Sequence, residues 1–116
     1  MIRTFIHLPE FDRRCKHLGL SEDDIMEIEK ALLDNPSAGD IVPGTGGVRK
    51  LRIALYDHKG KSGGARIIYV DFAFYESIYL MTAYAKGEKE NLTKEERNNM
   101  RNAVKILEQE AKGGKK

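Results

Sequence analysis

Apolar and polar residues along the chain repeat with two periods, and these periods predict three helices and four strands. Residues 2–7 alternate between apolar and polar side chains, which indicates a short strand. Apolar residues three and four positions apart then mark the buried sides of two helices between residues 9 and 35. They are Phe11, Cys15 and Leu18 in the first helix and Ile25, Ile28, Leu32 and Leu33 in the second. Gly19 and Ser21 are expected to cap the two helices where they meet, which gives a helical hairpin.

Three more strands and a last helix follow the hairpin. Residues 48–55 alternate strictly. One face carries Leu51, Ile53 and Leu55, and the other carries Lys50, Arg52 and Ala54. Residues 65–74 and 77–84 are rich in β-branched and aromatic side chains, as inner strands are. A capping box at Thr93 and Glu96 begins the last helix.

The predicted order of elements is β-α-α-β-β-β-α, which is that of a small α+β domain. We expect a single domain over residues 1–116, with a frayed tail at residues 113–116. Because so small a sheet needs its apolar side covered, we expect an antiparallel sheet with the helices packed on one face. The opposite face of the second strand then carries the cations of that strand.

Composition is that of an ordinary globular protein, with 41% apolar and 33% charged residues in 116. The single cysteine, Cys15, excludes an internal disulfide framework and fits a reducing compartment. The three histidines and this cysteine have no metal-ligand spacing, so we expect neither a metal site nor a cofactor. The sequence shows neither a signal peptide nor an apolar run long enough to span a bilayer, so we expect a cytoplasmic protein without a membrane partner.

Charge is segregated along the chain although the net charge is only +2. Residues 20–40 hold seven acids and one base, whereas residues 49–66 hold six bases and one acid. Two interpretations remain open at this point. The charges either form a solvated surface with scattered ion pairs, or the middle segment binds an anion.

The glycines around this basic segment do not form a known phosphate loop. "GKS" at residues 60–62 lacks the preceding glycine of the NTPase motif and is not followed by a helix. "GTGG" at residues 44–47 leads into a strand and not into a helix, so it is not a dinucleotide fingerprint. Turn formation is the simpler interpretation of both.

The "RKLR" sequence at residues 49–52 is more informative. Lys50 and Arg52 project from one face of a strand about 7 Å apart, and a polyanion would compensate their repulsion. Arg66, at the start of the neighbouring strand, is a third candidate for this group of cations. However, the alternation of faces along a strand places Arg66 on the same face as apolar residues of that strand. Either both faces of the sheet are partly apolar there, or a bulge near residues 63–64 turns Arg66 outward.

Three ordered motifs resemble the RelE/HigB family of toxins from bacterial type II toxin–antitoxin systems, and the HigB-like subgroup most. The motifs are "GDIVPGTGGVRKLR" (39–52), "GKSGGARIIYV" (60–70) and "YAKGEKENLTKEE" (84–96). The resemblance runs from about Leu32 to the C-terminus. It implies a microbial-RNase-like (RelE-like) fold and a ribosome-dependent mRNA endoribonuclease that cuts translated messenger in the ribosomal A site. It also implies a cognate antitoxin that holds the toxin inactive.

The resemblance further implies which residues form the site. The positions that match the family's catalytic cations are Lys50, Arg52 and Arg66, and no metal or small-molecule cofactor is required. The cations expected to bind RNA or the 70S ribosome are Arg49, Lys59, Lys61, Lys86 and Lys89. Several relatives carry a tyrosine or histidine after the last basic stretch, whereas "GEKENLTKEE" here has neither, and Tyr84 precedes Lys86.

Elementary chemistry assigns roles to the three catalytic candidates. A messenger 2′-hydroxyl attacks the adjacent phosphorus, which requires a base, an acid and cations that stabilise the added charge. Arginine stays protonated and binds phosphate through two N–H groups, so Arg52 and Arg66 suit charge stabilisation. A lysine can exchange a proton, so Lys50 suits proton transfer, or else it only contacts ribosomal RNA. Two other functions stay open: a ParE-like, non-nuclease inhibitor of DNA gyrase, and an inactive antitoxin-binding module.

Overall fold

Five strands and three α-helices lie within residues 2–54, 64–89 and 91–114, the part of the protein that its computed structural model describes. The strands are β1 (Thr4–His7), β2 (Asp40–Ile41), β3 (Val48–Ile53), β4 (Ala65–Phe72) and β5 (Ser77–Ala85). The helices are α1 (Pro9–Leu18), α2 (Glu22–Asp34) and α3 (Lys94–Gly114). A single 3₁₀ turn, Ala73–Tyr75, joins β4 to β5. No helix in these three ranges is long and apolar enough to cross a membrane.

The helical hairpin forms as the sequence predicts. Pro9 begins α1, and Gly19 ends it in the left-handed conformation at φ 73°. Ser21 accepts a hydrogen bond from the backbone N–H of Asp24, whose carboxylate accepts one from the backbone N–H of Ser21. This reciprocal capping box satisfies two N–H groups that the first turn of a helix leaves without partners.

One hydrophobic core lies between the hairpin and one face of the sheet. The helices contribute Phe11, Cys15, Leu18, Ile28 and Leu32 to it, all at most 3% exposed. The strands contribute Leu51, Ile67, Tyr69, Ile78 and Leu80 from alternate positions. Each such side chain stabilises the fold by roughly 1.5–3 kcal/mol on burial, so this core fixes the hairpin to the sheet. Of the predicted stripe on α2, Leu33 is the member that stays exposed, at 36%.

The α+β class is confirmed, but the sheet is mixed and not purely antiparallel as predicted. Its strand order is β1-β5-β4-β3-β2, and β1 runs parallel to β5 while the other pairs are antiparallel. Parallel neighbours need a long connection between them, and here the whole segment from α1 to β4 separates β1 from β5. The two-residue strand β2 is also additional to the prediction, because two residues are too few to show an alternation.

The prediction that all helices pack on one face is wrong, because α3 covers the opposite face. Val104, Leu107 and Ala111 of α3 form a second core with residues of β3, β4 and β5. The strand members are Val48, Ile68, Val70, Phe72, Tyr79, Met81 and Tyr84. The cause lies in β4, whose residues 67–70 are all at most 2% exposed. A strand that is apolar at consecutive positions needs cover on both faces.

Helix α3 also continues through Gly113 and Gly114, beyond the start of the predicted frayed tail.

A bulge in β5 decides which side chains of that strand face α3. Ile68 pairs with Thr82, whereas the next residue, Tyr69, pairs with Leu80, so Met81 is the extra residue. Beyond the bulge the alternation of β5 is inverted, and Tyr84 lies on the α3 face although residues 78 and 80 lie on the other. On β4 the alternation is unbroken, so Arg66 shares the face of Ile68. The first of the two interpretations of Arg66 is therefore correct: both faces of the sheet are partly apolar.

Gly64, which precedes β4, supplies a first test of this fold. Its φ is +79°, and a Cβ atom there would lie 1.9 Å from the carbonyl oxygen of Ile53. We expect Gly64→Ala to lower the free energy of unfolding by about 3 kcal/mol, because it adds a backbone clash to the left-handed strain. The control is Gly19→Ala, which has φ +73° and nothing within 4 Å of the added carbon, so that only about 1 kcal/mol is lost. Urea unfolding measures both. Equal losses would contradict the close packing of Gly64 against β3.

Candidate functional site

The predicted catalytic cations lie on the α3 face of the sheet, close to one end of it. Arg52 on β3 is directly opposite Arg66 on β4, and Arg66 is directly opposite Tyr84 on β5. Adjacent strands are about 4.8 Å apart, so these three side chains form a row across three strands. Lys50 lies two residues before Arg52 on β3, on the same face. The structure thus brings Lys50, Arg52 and Arg66 together.

A groove of about 650 Å³ lies beside this row and is bounded by three parts of the chain. Its described lining comprises Lys50 and Arg52 of β3, residues 40–44, Asn91 and Leu92 before α3, and Arg97 in the first turns of α3. Three of these residues are cations and one, Asp40, is an acid. The groove is therefore basic, and it is open to a ligand from solvent.

Arg97 is a member of this groove that the sequence analysis did not identify. Its guanidinium donates a hydrogen bond to the carbonyl oxygen of Leu92, at 2.7 Å. This bond holds the guanidinium next to the loop before α3. In the sequence it is one base among several in a polar helix, and no pattern distinguishes it. Only the packing of α3 across the sheet places it opposite Lys50 and Arg52.

The single acid of the groove leaves Arg52 largely available. Asp40 accepts from the Arg52 guanidinium at 3.3 Å, and the two side chains are 76% and 60% exposed. An ion pair this exposed contributes about 0–1 kcal/mol, so an incoming phosphate can replace the carboxylate. The register explains the contact, because Asp40 on β2 pairs with Lys50 on β3.

The loop before β2, which leads to Asp40, is fixed from the other face of the sheet. The Tyr69 hydroxyl donates to the carbonyl of Pro36 at 2.7 Å and accepts from the backbone N–H of Gly39 at 3.0 Å. Arg49 donates to the carbonyl of Gly39 at 2.7 Å. A Cβ atom on Gly39 would lie 3.0 Å from the backbone of Lys50, so this glycine allows close approach to β3. Arg49, predicted to bind RNA, therefore lies on the face opposite Lys50 and Arg52 and holds the loop.

The glycine-rich "GTGG" segment forms a turn, as the simpler interpretation has it. Gly44, Gly46 and Gly47 all have positive φ, which other residues rarely adopt. Thr45 is fully buried, and its hydroxyl donates to the carbonyl of Val42 and accepts from the N–H of Val48. The turn leads directly into β3 and so fixes the position of Lys50.

The remaining predicted cations differ in their distance from the row. Lys89 lies close to it: its ammonium group is 5.3 Å from the centre of the Tyr84 ring and donates to the carboxylate of Glu96. Lys86 is exposed beyond the end of β5, and its backbone N–H donates to the carbonyl of Gly64. Lys59 and Lys61 lie outside the described residues.

The loop between β5 and α3 is anchored to α1 as well as to the sheet. Arg14 donates to the carbonyl of Ala83 at 2.7 Å and also to the carboxylate of Glu88. That carboxylate accepts from the N–H of Ala85, and this bond, more than Arg14, lowers the pKa of Glu88. These contacts occupy the edge of β5 beyond β1, where backbone groups would otherwise be unpaired. They also set the height of the loop above the basic row.

The arrangement suits the binding of a polyanion. No group of three or more histidine, cysteine, aspartate or glutamate residues that could hold a metal ion occurs among residues 2–54, 64–89 and 91–114. Two arginines and a lysine on one face can instead hold a phosphate and stabilise charge that develops on it. Cys15 is no alternative reactive group, because burial raises the pKa of its thiol to about 12.

Fold and site together define a small α+β domain with a basic groove beside the end of its sheet. A family model described as the RelE toxin of the RelE/RelB toxin–antitoxin system matches residues 3–113 of the chain. The chain therefore belongs to the RelE toxin family, as its motifs indicate. It is the toxin of a toxin–antitoxin pair, and its protein partner is an antitoxin. The HigB-like subgroup stays a prediction.

Glu96, which joins Lys89 to the start of α3, generates a pH-dependent prediction. Its bond from Lys89, followed by that from the Thr93 N–H, lowers its pKa. Since the pKa is lower in the folded state, the stabilisation is complete above the ordinary pKa of 4.5 and is lost as the pH falls through the folded value. Glu96→Gln should therefore lose up to about 1 kcal/mol at pH 7 and lose less than wild type between pH 5 and 3.

The control for this prediction is Glu95→Gln, which removes the same charge from the same turn of α3. The Glu95 side chain is exposed and has no described partner within the three ranges of the structure. Thermal melting across that pH range compares the two variants. If Glu96→Gln and wild type lose stability equally between pH 5 and 3, the ion pair with Lys89 does not hold the loop.

Proposed function

We propose that this toxin is a ribosome-dependent mRNA endoribonuclease that cuts translated messenger in the ribosomal A site and so inhibits translation. The observation that carries the proposal is the placement of Lys50, Arg52 and Arg66 on one sheet face beside an open, basic groove. The family match supports it, since the resemblance that the motifs show is to toxins of this activity. Its place of action is the cytoplasm, where ribosomes translate.

The proposed reaction is an attack of the messenger 2′-hydroxyl on the adjacent phosphorus. Lys50 takes part in proton transfer, while Arg52 and Arg66 bind the phosphate and stabilise the charge of the phosphorane. The P–O5′ bond then breaks and the 5′-oxygen gains a proton in place of the one that the 2′-hydroxyl lost, which leaves a 2′,3′-cyclic phosphate on one fragment and a 5′-hydroxyl on the other. No metal or cofactor takes part in these steps.

Other cations extend the same surface toward RNA. Arg97 faces the groove from α3, and Lys86 and Lys89 lie on the loop after β5, so the three border the row on two sides. We propose that they bind messenger or ribosomal RNA, and we retain Lys59 and Lys61 in this role from the sequence. We assign Arg49 to the loop that it holds from the other face.

The first prediction for this function concerns Lys50→Ala and Arg52→Ala. Each should lower the cleavage rate on the order of a hundredfold or more, because a group that stabilises the transition state is lost. Each should alter the free energy of unfolding by only about 0.5 kcal/mol, because neither side chain is in a core. Growth arrest after expression without the antitoxin, mapping of messenger cuts and thermal melting measure these effects.

The matched control is Lys16→Ala, which removes an exposed cation from α1 on the opposite side of the sheet. It should arrest growth and cut messenger at the wild-type rate. Gyrase activity is measured in parallel in the same cells. An intact messenger pool with inhibited gyrase would contradict the proposal and favour the ParE-like alternative. Full toxicity of folded Lys50→Ala and Arg52→Ala would remove these residues from the site.

A second prediction concerns the need for ribosomes. The described lining of the groove contains no aromatic side chain on which a splayed base could stack. Phosphate contacts alone do not orient a 2′-hydroxyl for in-line attack, so the ribosome must supply part of the geometry. Purified protein should therefore cut messenger on programmed ribosomes at least about a hundredfold faster than free messenger. Rapid cleavage of free messenger at nanomolar protein concentrations would count against ribosome dependence.

A further inference from the structure

Tyr84 carries a buried polar group, its phenol hydroxyl. The side chain is 3% exposed, and its hydroxyl has no hydrogen-bond partner among the described residues. Buried tyrosines usually satisfy this group, as Tyr69 does in the same sheet with two bonds. A hydroxyl without a partner is unfavourable inside a protein, and phenylalanine would fill the same space without that cost. The position therefore calls for an explanation other than packing.

The surroundings of the Tyr84 hydroxyl are those of the proposed site. Arg66 is its direct cross-strand neighbour, and Arg52 is the next residue in the row. Burial raises the pKa of the phenol despite the opposing fields of these two arginines. The phenol thus keeps its proton and remains a hydrogen-bond donor beside two phosphate-binding cations.

A second cavity, of about 560 Å³, is lined in part by Tyr84 and shares Leu92 with the basic groove. Its lining includes Tyr84, Lys89, Glu96 and Met100. The ammonium group of Lys89 lies over the Tyr84 ring and is bound to Glu96. Lysine is long and flexible, so a bound phosphate can draw this ammonium aside and bring an RNA oxygen to the phenol.

We propose that the Tyr84 hydroxyl is a substrate-contacting group of the RNA site and donates a hydrogen bond to an oxygen of the phosphate that Arg52 and Arg66 hold. This inference rests on the proposed function. The phenol keeps its proton throughout: no bond to it forms or breaks, and its contribution is to hold the phosphate and stabilise the charge that develops there. The bulge at Met81 serves this role, because it turns Tyr84 toward the face that carries the arginines.

Tyr84→Phe tests the inference, since it removes only the phenol oxygen and keeps the ring. We expect single-turnover cleavage of messenger on programmed ribosomes to fall about tenfold to a hundredfold. The melting temperature should stay equal or rise, and binding to ribosomes should be unchanged. A role confined to packing would not produce this combination.

Tyr79→Phe is the matched control, on the same strand and the same face. Tyr79 is 2% exposed, and burial and then the nearby carboxylate of Glu110, towards the far end of α3, raise the pKa of its hydroxyl. Its loss should lower the melting temperature and leave cleavage at the wild-type rate. Tyr84→Phe should therefore slow cleavage without lowering the melting temperature, whereas Tyr79→Phe should lower the melting temperature without slowing cleavage.

Wild type and Arg52→Ala in the same assay separate the two proposals. If wild type cuts, Arg52→Ala does not, and Tyr84→Phe cuts at the wild-type rate, the role of Tyr84 is overturned while the proposed function stands. A lower melting temperature together with weaker ribosome binding for Tyr84→Phe would assign the phenol to the fold and overturn its role. Failure of wild type to cut ribosome-bound messenger would overturn both.

Discussion

The register between β3 and β4 is the constraint on which the site depends, because it sets two guanidinium groups directly opposite each other. Like charges in this position destabilise a sheet. The pairing of Val48 with Val70 and of Leu51 with Ile67 holds the register, and these apolar residues lie in the cores on the two faces. A slip of one residue would turn both sets away from their own cores, so the cores fix Arg52 opposite Arg66. A phosphate could be bound by both arginines at once, which is why we propose the cationic row as the site.

Much of this fold follows from local patterns, whereas its arrangement in space does not. The helical hairpin, its caps and the long strands could be predicted, since each is set by residues close together in sequence. The position of α3 could not be predicted by counting one apolar face per strand. The run of apolar residues in β4 did indicate this position, because a strand that is apolar at consecutive positions must be covered on both faces.

The site was predictable where one strand carries it and unpredictable where several elements meet. Lys50 and Arg52 are visible as a pair because the period of a strand places them on one face. Arg97 depends on where α3 packs, which no local pattern gives. Tyr84 depends on a single extra residue in β5, and period-two counting across that bulge assigns it to the wrong face. Arg49 lies on the opposite face of β3, where it donates to the loop before β2, and its role in RNA binding remains a prediction.

The chemistry of the cut ends tests the central proposal most directly, because it reports how the groove handles a phosphate. Messenger is translated by purified ribosomes with the toxin present, and both ends at each cut are identified. Attack by the 2′-hydroxyl beside Lys50, Arg52 and Arg66 predicts cuts at codon spacing, with 2′,3′-cyclic phosphate and 5′-hydroxyl ends that Arg52→Ala does not produce. Fragments with 5′-phosphate ends, or no fragments from ribosome-bound messenger, would contradict it.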